Sequence, residues 1–279
     1  MTARLATHPD VASRTSEVLD RLVAAGVDVE FLGEDTGAGG EGGDPLQGVR
    51  DSILDLALVG IRALRGSAAD DLTTVAVLPR EEYRDVLVTL SGAPTLLADL
   101  GPGARVGVSG ERRLAFLRAH CPDVDAVALD SDVELPPGLD AWVTSAIEAR
   151  RMERSGAIAE TLDAKSWLPE PGQGALALIA RHPIAEATAL DHLPTRTGLR
   201  AELALLDALD VRAGAPLGAL AQPSGRSIRL WAAAASLDGR RLVRTDMTGP
   251  LDEPEALGAL VARQLTERGV GLVLSESVG

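Results

Sequence analysis

Leu168-Pro-Glu-Pro-Gly-Gln-Gly-Ala175 orders the rest of this chain. Its Pro and Gly residues mark a turn, and the apolar run 175–180 reads as a strand returning toward the domain in which the chain began. Toward the N-terminus, short β-like runs alternate with helical patterns. Ala3–Thr7 is a strand ending before Pro9 and Asp10. Val11, Thr15, Val18, Leu19, Leu22 and Val23 then recur at helical spacing, and Gly26 ends that helix. Runs 27–32, 54–59 and 74–78 are further strands, with a helical stretch near 62–65. A second series begins near Arg84: strand 105–108, helix Glu111–His120, strands 124–129 and 140–144, and helix 147–152. Strands alternating with helices indicate an α/β fold with a largely parallel sheet.

Beyond the turn, 195–209 is an amphipathic helix with Leu199, Leu203, Leu206 and Leu209 on one face. Asp238-Gly239 between the runs 227–236 and 240–248 marks a β-hairpin. Residues 253–268 read as a helix and 270–274 as a last strand, so the final third is a compact α/β unit. The segment 33–43 holds six glycines but no lysine, which makes it a surface loop or an active-site lid and not a phosphate-binding P-loop.

Bulk properties narrow the function. A length of 279 residues suits two or three domains. No window of about 18 uncharged apolar residues occurs, and the N-terminus lacks the apolar core of a secretory signal. The single cysteine, Cys121, excludes an internal disulfide and a cysteine-based metal cluster, and the four histidines have no metal-ligand spacing. A cytoplasmic protein without a metal is expected. A net charge of −14 and 2% aromatic residues disfavour nucleic acid as a partner.

Five segments, in order, resemble the porphobilinogen deaminase (hydroxymethylbilane synthase) family. Arg4-Leu-Ala-Thr-His8 is similar to its opening Arg-Ile-Ala-Thr-Arg. Arg80-Glu-Glu-Tyr-Arg-Asp85 resembles its Arg-Glu-Asp-x-Arg-Asp, and Val106-Gly-Val-Ser-Gly-Glu-Arg-Arg113 its Val-Gly-Thr-Ser-Ser-Leu-Arg-Arg. Leu168–Ala175 matches Leu-Pro-x-x-Gly-Gln-Gly-Ala, and Ala201-Glu202 leads to Pro216-Leu217-Gly218 in the place of the cofactor loop. The resemblance implies three domains: two periplasmic-binding-protein-like α/β lobes around a cleft (1–82 with 172–192, and 83–171) and a smaller C-terminal α/β domain (193–279) that carries the cofactor loop. It also implies the deamination and stepwise coupling of porphobilinogen on a cysteine-linked dipyrromethane primer.

This chain departs from that pattern where the chemistry is carried. The family's Gly-Gly-Cys loop reads Val211-Arg212-Ala213, so the cysteine position is Ala213 and no dipyrromethane is expected. The catalytic aspartate position is Ala63, whose methyl group cannot stabilise a developing cation, while the preceding lysine keeps its charge as Arg62. The early arginine becomes His8. Glu41 stands in place of a lysine, and Asp130-Ser131-Asp132-Val133 replaces Arg-Gly-Asn-Val. Arg62, Arg112 and Arg113 are the candidate carboxylate-binding groups, because the guanidinium fork suits that ligand. His8, Asp130 and Asp132 are the candidate replacement catalytic groups, and Cys121 reads as a structural thiol.

Three functions follow from these residues. The first is a repurposed enzyme acting on a small anionic substrate in the interdomain cleft. The second is a non-catalytic small-anion-binding protein on the same scaffold. The third, disfavoured by Ala63 and Ala213 together, is a hydroxymethylbilane synthase of tetrapyrrole biosynthesis with a noncovalent primer. A monomer is expected, with a small anionic ligand and with neither nucleic acid nor membrane as partner.

Overall fold

The computed structural model describes residues 2–34, 36–37, 40–41, 43–61, 71–90, 95–130, 135–212 and 214–275. The chain divides into two compact units, Met1–Glu81 with Gly172–Thr197 and Glu82–Pro171 with Gly198–Gly279.

In the first unit, β1 (Ala3–Thr7) leads through a 3-10 turn (Pro9–Arg14) into α1 (Thr15–Ala24) and β2 (Val29–Glu34). Within the glycine-rich segment, β3 (Thr36–Gly37) and β4 (Gly40–Glu41) pair as a short hairpin. There follow α2 (Pro45–Arg50), β5 (Leu56–Gly60) and β6 (Thr73–Val77). Asp44 caps α2 by accepting from the Leu46 N–H at 2.9 Å. β12 (Leu176–Ala180) returns from the second unit and inserts between β5 and β6, giving the order β2-β1-β5-β12-β6. β1 runs parallel to β2 and β5, whereas β12 is antiparallel to both neighbours. Residues 56–59 and 176–180 are all buried, as central strands covered on both faces must be. Val18 and Leu22 of α1 pack in one core with Leu5, Leu56, Leu58 and Leu178.

The second unit holds β7 (Asp85–Thr89), β8 (Arg105–Ser109), α3 (Glu111–His120), β9 (Asp125–Leu129), β10 (Ala141–Ser145), α4 (Ala146–Arg151) and β11 (Ile158–Thr161). Its sheet has the order β11-β7-β10-β8-β9, with β8 parallel to β9 and β10. α5 (Leu193–Leu209) then leads to an antiparallel meander of β13 (Leu217–Ser224), β14 (Ser227–Ala235) and β15 (Leu242–Pro250), followed by α6 (Pro254–Glu267) and α7 (Val270–Ser275). Alternation sends Leu217, Ala219, Ala221, Leu230, Ala232 and Ala234 into a core with Leu205, Val261 and Leu265. On the other face Leu220, Trp231, Ala233 and Ala235 join the core around Phe116 and Trp167. The α/β class is therefore present as two sheet-and-helix lobes and a smaller C-terminal layer, and the latter shares a core with the second lobe.

α2 and β11 were absent from the sequence reading, the helical stretch expected near 62–65 lies outside the described residues, and two further elements differ. The run 270–274 is helical and not a strand: Gly269, at φ +86°, ends α6, and Val270 and Val273 are buried three residues apart while Leu272 is exposed. β13 went unread because Pro216 precedes it and Pro223 lies within it. As an edge strand it tolerates the proline.

Gly218 on β13 packs directly on the 168–169 segment. A Cβ there would stand 2.6 Å from the Leu168 carbonyl oxygen, beside the Ala219 N–H bond to the Pro169 carbonyl at 2.9 Å. The Gly218→Ala protein is expected to lose about 1–3 kcal/mol of stability in urea denaturation, since this backbone contact cannot yield as a flexible side chain would. An unchanged midpoint would show that β13 moves freely there.

Candidate functional site

Both sheets end their parallel strands toward the segments that the sequence singled out, and such carboxyl ends are where α/β folds place ligands. In the first unit, His8 follows β1 and Ile61 follows β5. The His8 N–H donates to the Leu58 carbonyl at 3.0 Å, and its own carbonyl accepts from Val11, so the half-buried residue is fixed at the mouth of the sheet. The Gly-Gln-Gly turn lies at this same end because β12 runs antiparallel. Gly172 and Gly174 have φ of +80° and +77°, the left-handed region that glycine enters at little cost. That shape lets the Gly174 carbonyl accept from the Glu81 N–H at 2.8 Å, the Gln173 carbonyl from Arg80 Nε at 2.9 Å, and the Ala175 carbonyl from the Ile61 N–H at 2.9 Å. Arg14, reached through the 3-10 turn, pairs with Glu81 and with Glu17.

In the second unit, three separated motifs converge at the carboxyl end of β8. Asp85, 1% exposed at the start of β7, accepts from Arg112 Nη2 at 2.6 Å, from Arg113 Nη2 at 3.2 Å and from the Trp167 indole N–H at 2.9 Å. Arg112 also donates to the Leu168 carbonyl at 2.8 Å, and Arg113 to Ser109 Oγ at 3.1 Å. Burial alone would push the Asp85 carboxyl up, but the charges and hydrogen bonds of Arg112 and Arg113 outweigh it and hold the group well below the usual carboxylate range. Burial pulls the Arg112 guanidinium below its ordinary value, against the pull of Asp85 and of Glu170. Two cations thus face two carboxylates. At the first turn of α3, Glu111 forms an ion pair with Arg212, which directly precedes Ala213 in the loop before β13.

The sequence-derived candidates fall unevenly on this geometry. Arg112 and Arg113 come together, at 5% and 8% exposure, already engaged with Asp85. Asp130 is exposed one residue beyond the Ser109–Leu129 pairing of β8 with β9, which puts it at the level of Gly110. Arg62, Ala63, Asp132 and Ala213 lie outside the described residues, as does the side chain of Glu41. Cys121 sits at the opposite end of α3 from Glu111, a helix length of about 15 Å away. Its Sγ lies 3.7 Å from the Leu97 carbonyl, and burial, with Glu160 adding, pushes the thiol pKa up. Asp85, Trp167, Arg14 and the Glu111–Arg212 pair were not singled out from sequence. A lone carboxylate opening the buried run Asp85-Val-Leu-Val-Thr89 is the signal that marks the first of them.

The architecture and this site define a two-unit α/β protein with a C-terminal meander closing on the second unit. The family profile described as porphobilinogen deaminase, dipyromethane cofactor binding domain, matches residues 47–189. A porphobilinogen deaminase of Moorella thermoacetica is 35% identical over 236 residues, covering 81% of this chain and 75% of its own length. One of Nocardia farcinica is 34% identical over 307 residues, covering 98% and 88%. The chain belongs to the porphobilinogen deaminase family. Among solved structures, the lipoprotein Tp32 of Treponema pallidum aligns at a TM-score of 0.46 with 14% identity, covering 74% of this chain and 95% of that one. The aliphatic sulphonate binding protein SsuA of Escherichia coli aligns at 0.39 with 17% identity, covering 75% and 73%. Among the described residues no helix is long and apolar enough to cross a membrane.

Proposed function

We propose that this family member does not perform the dipyrromethane-primed polymerisation of porphobilinogen, and that it uses the scaffold as an enzyme on a single small anionic substrate. The observation that carries this reading is the Glu111–Arg212 ion pair. In the family motifs quoted above, these positions are leucine and glycine, and the next residue is the cysteine that bears the primer; here that residue is Ala213. A charge pair therefore occupies the approach to the loop, and the protein's one thiol, Cys121, does not fit as a substitute anchor. Its place at the far end of α3 and its raised pKa both disfavour alkylation.

The charge balance supports the same reading. A growing chain of pyrroles carries two carboxylates per ring and needs uncompensated cations. Arg112, Arg113 and Asp85 all match the family pattern, so the charges that set this chain apart are the Glu111–Arg212 pair and Glu41 and Asp130 in place of cations. Such a surface suits one small anion better than a polyanion. Arg62, Arg112 and Arg113 would hold its carboxylates, with His8, Asp130 and Asp132 as the groups available for proton transfer. A second reading, a non-catalytic anion-binding protein, is favoured by one observation: Asp85, the carboxylate buried beside Arg112 and Arg113, is held below the usual carboxylate range by their charges and hydrogen bonds and so is not poised as an acid near neutral pH. Hydroxymethylbilane synthesis from a noncovalent primer would demand the cations that Glu41 and Asp130 replace.

The test is turnover. Purified protein incubated with porphobilinogen, with porphyrin absorbance read after acid oxidation, is expected to give no product above a protein-free blank. Turnover comparable to that of the Moorella thermoacetica relative, assayed beside it, would overturn the proposal.

A further inference from the structure

The first unit carries a pocket of about 610 Å³ at the end of its sheet away from His8 and the Gly-Gln-Gly turn. It is built where β1 and β5 begin and β12 ends. Its lining includes Asp28 from the turn before β2, Leu54 before β5, and Arg181, His182 and Glu186 after β12. The volume falls within the roughly 300–1,000 Å³ usual for small-molecule sites. Arg4 stiffens one wall by donating to Asp55 Oδ2 at 2.9 Å and to the Ser52 carbonyl at 2.8 Å. Ser52, at φ +59°, turns the chain after α2 and accepts a hydrogen bond from Arg181 through its hydroxyl.

The charges in this pocket are not matched as they are elsewhere. Arg181 has only that neutral hydroxyl as a hydrogen-bond partner among the described residues, and Asp28 only the Thr2 hydroxyl, at 2.5 Å. Glu186 has no side-chain partner among the described residues, and Val27, Leu54, Ala180 and Ile184 supply an aliphatic floor. A cation and two carboxylates around an apolar floor complement a ligand carrying both charges and a hydrocarbon body. We infer that this pocket is a second ligand site and that it takes a small aliphatic amino acid. The carboxylate is held by Arg181, the ammonium by Asp28 and Glu186, and the side chain lies on Leu54 and Ile184. Its charged groups Asp28, Arg181 and Glu186 lie outside the family segments quoted above, and the inference is independent of the proposed function.

Isothermal titration of the full chain with leucine tests it, beside 4-methylpentanoate, which lacks the ammonium, and isopentylamine, which lacks the carboxylate. Saturable leucine binding is expected, with both analogues at least about tenfold weaker. Arg181→Ala and Glu186→Gln, both on exposed side chains, are each expected to weaken leucine about tenfold. Absence of saturable leucine binding would overturn the assignment, as would an affinity unchanged in both variants or an amine that binds as well as the amino acid. No outcome depends on porphobilinogen, so a failure here leaves the proposed function standing.

Discussion

Replacing Asp85 with alanine is expected to destabilise the second unit by about 3–5 kcal/mol, the cost of leaving buried charge without its partner. The carboxylate accepts from Arg112, Arg113 and Trp167, and its removal takes the buried counter-charge from two guanidinium groups that are only 5% and 8% exposed. Asp85→Asn keeps the shape, loses the charge and is expected to cost a comparable amount. Trp142, Trp167 and Trp231 are the chain's three tryptophans, all buried and all within the second unit, so their fluorescence in a urea titration reports this unit. The pH dependence has a definite sign. The folded pKa of Asp85 is depressed, so its contribution is fully present above the unfolded value of about 4 and is lost as pH falls below that toward the folded value. The acid-sensitive part of the stability curve should therefore shrink in Asp85→Asn. A loss under about 1 kcal/mol in either variant, or an unchanged acid limb, would contradict the role given to this cluster.

Restoring the two missing family groups should not restore the family reaction. The double variant Ala63→Asp with Ala213→Cys regains a carboxylate and a thiol, yet Glu41 and Asp130 still stand where the family carries lysine and arginine. Each reversal replaces attraction for the product's carboxylates by repulsion, and the Glu111–Arg212 pair still spans the loop beside the new thiol. Porphobilinogen turnover in the double variant is expected to stay at least about 100-fold below that of a curated relative, since one misplaced electrostatic contact alone can cost that much. Near-equal turnover would mean that Ala63 and Ala213 alone separate this chain from the family reaction. Adding Glu111→Leu and Arg212→Gly to the double variant separates the ion pair from the charge reversals.

Much of the fold was legible because its signals are local. Helix Glu111–His120 is bounded by Gly110 and Cys121-Pro122, and the turn at Asp238-Gly239 carries a specific residue pair. The elements misread lacked such signals. Residues 270–274 form an apolar run too short for periodicity to separate helix from strand, and only the packing of Val270 and Val273 decides it. β13 holds a proline that argues against a strand until its edge position is known. The site was legible as motifs and not as electrostatics. Arg112 and Arg113 read as a free anion-binding wall because nothing local reveals that Asp85, more than twenty residues earlier, lies beneath them. The pairing of Glu111 with Arg212 spans a hundred residues of chain and depends on how β13 seats against Leu168.

With Ala213 in the loop and Cys121 at the far end of α3, no covalent primer is expected on this chain, and intact-mass spectrometry reports its presence or absence. Protein purified from cells that make tetrapyrroles, measured before and after incubation with porphobilinogen, should show in both samples only the mass of its 279 residues. A species heavier by two or more pyrrole units, in either sample, would show that the chain anchors a primer on another residue and would contradict the account.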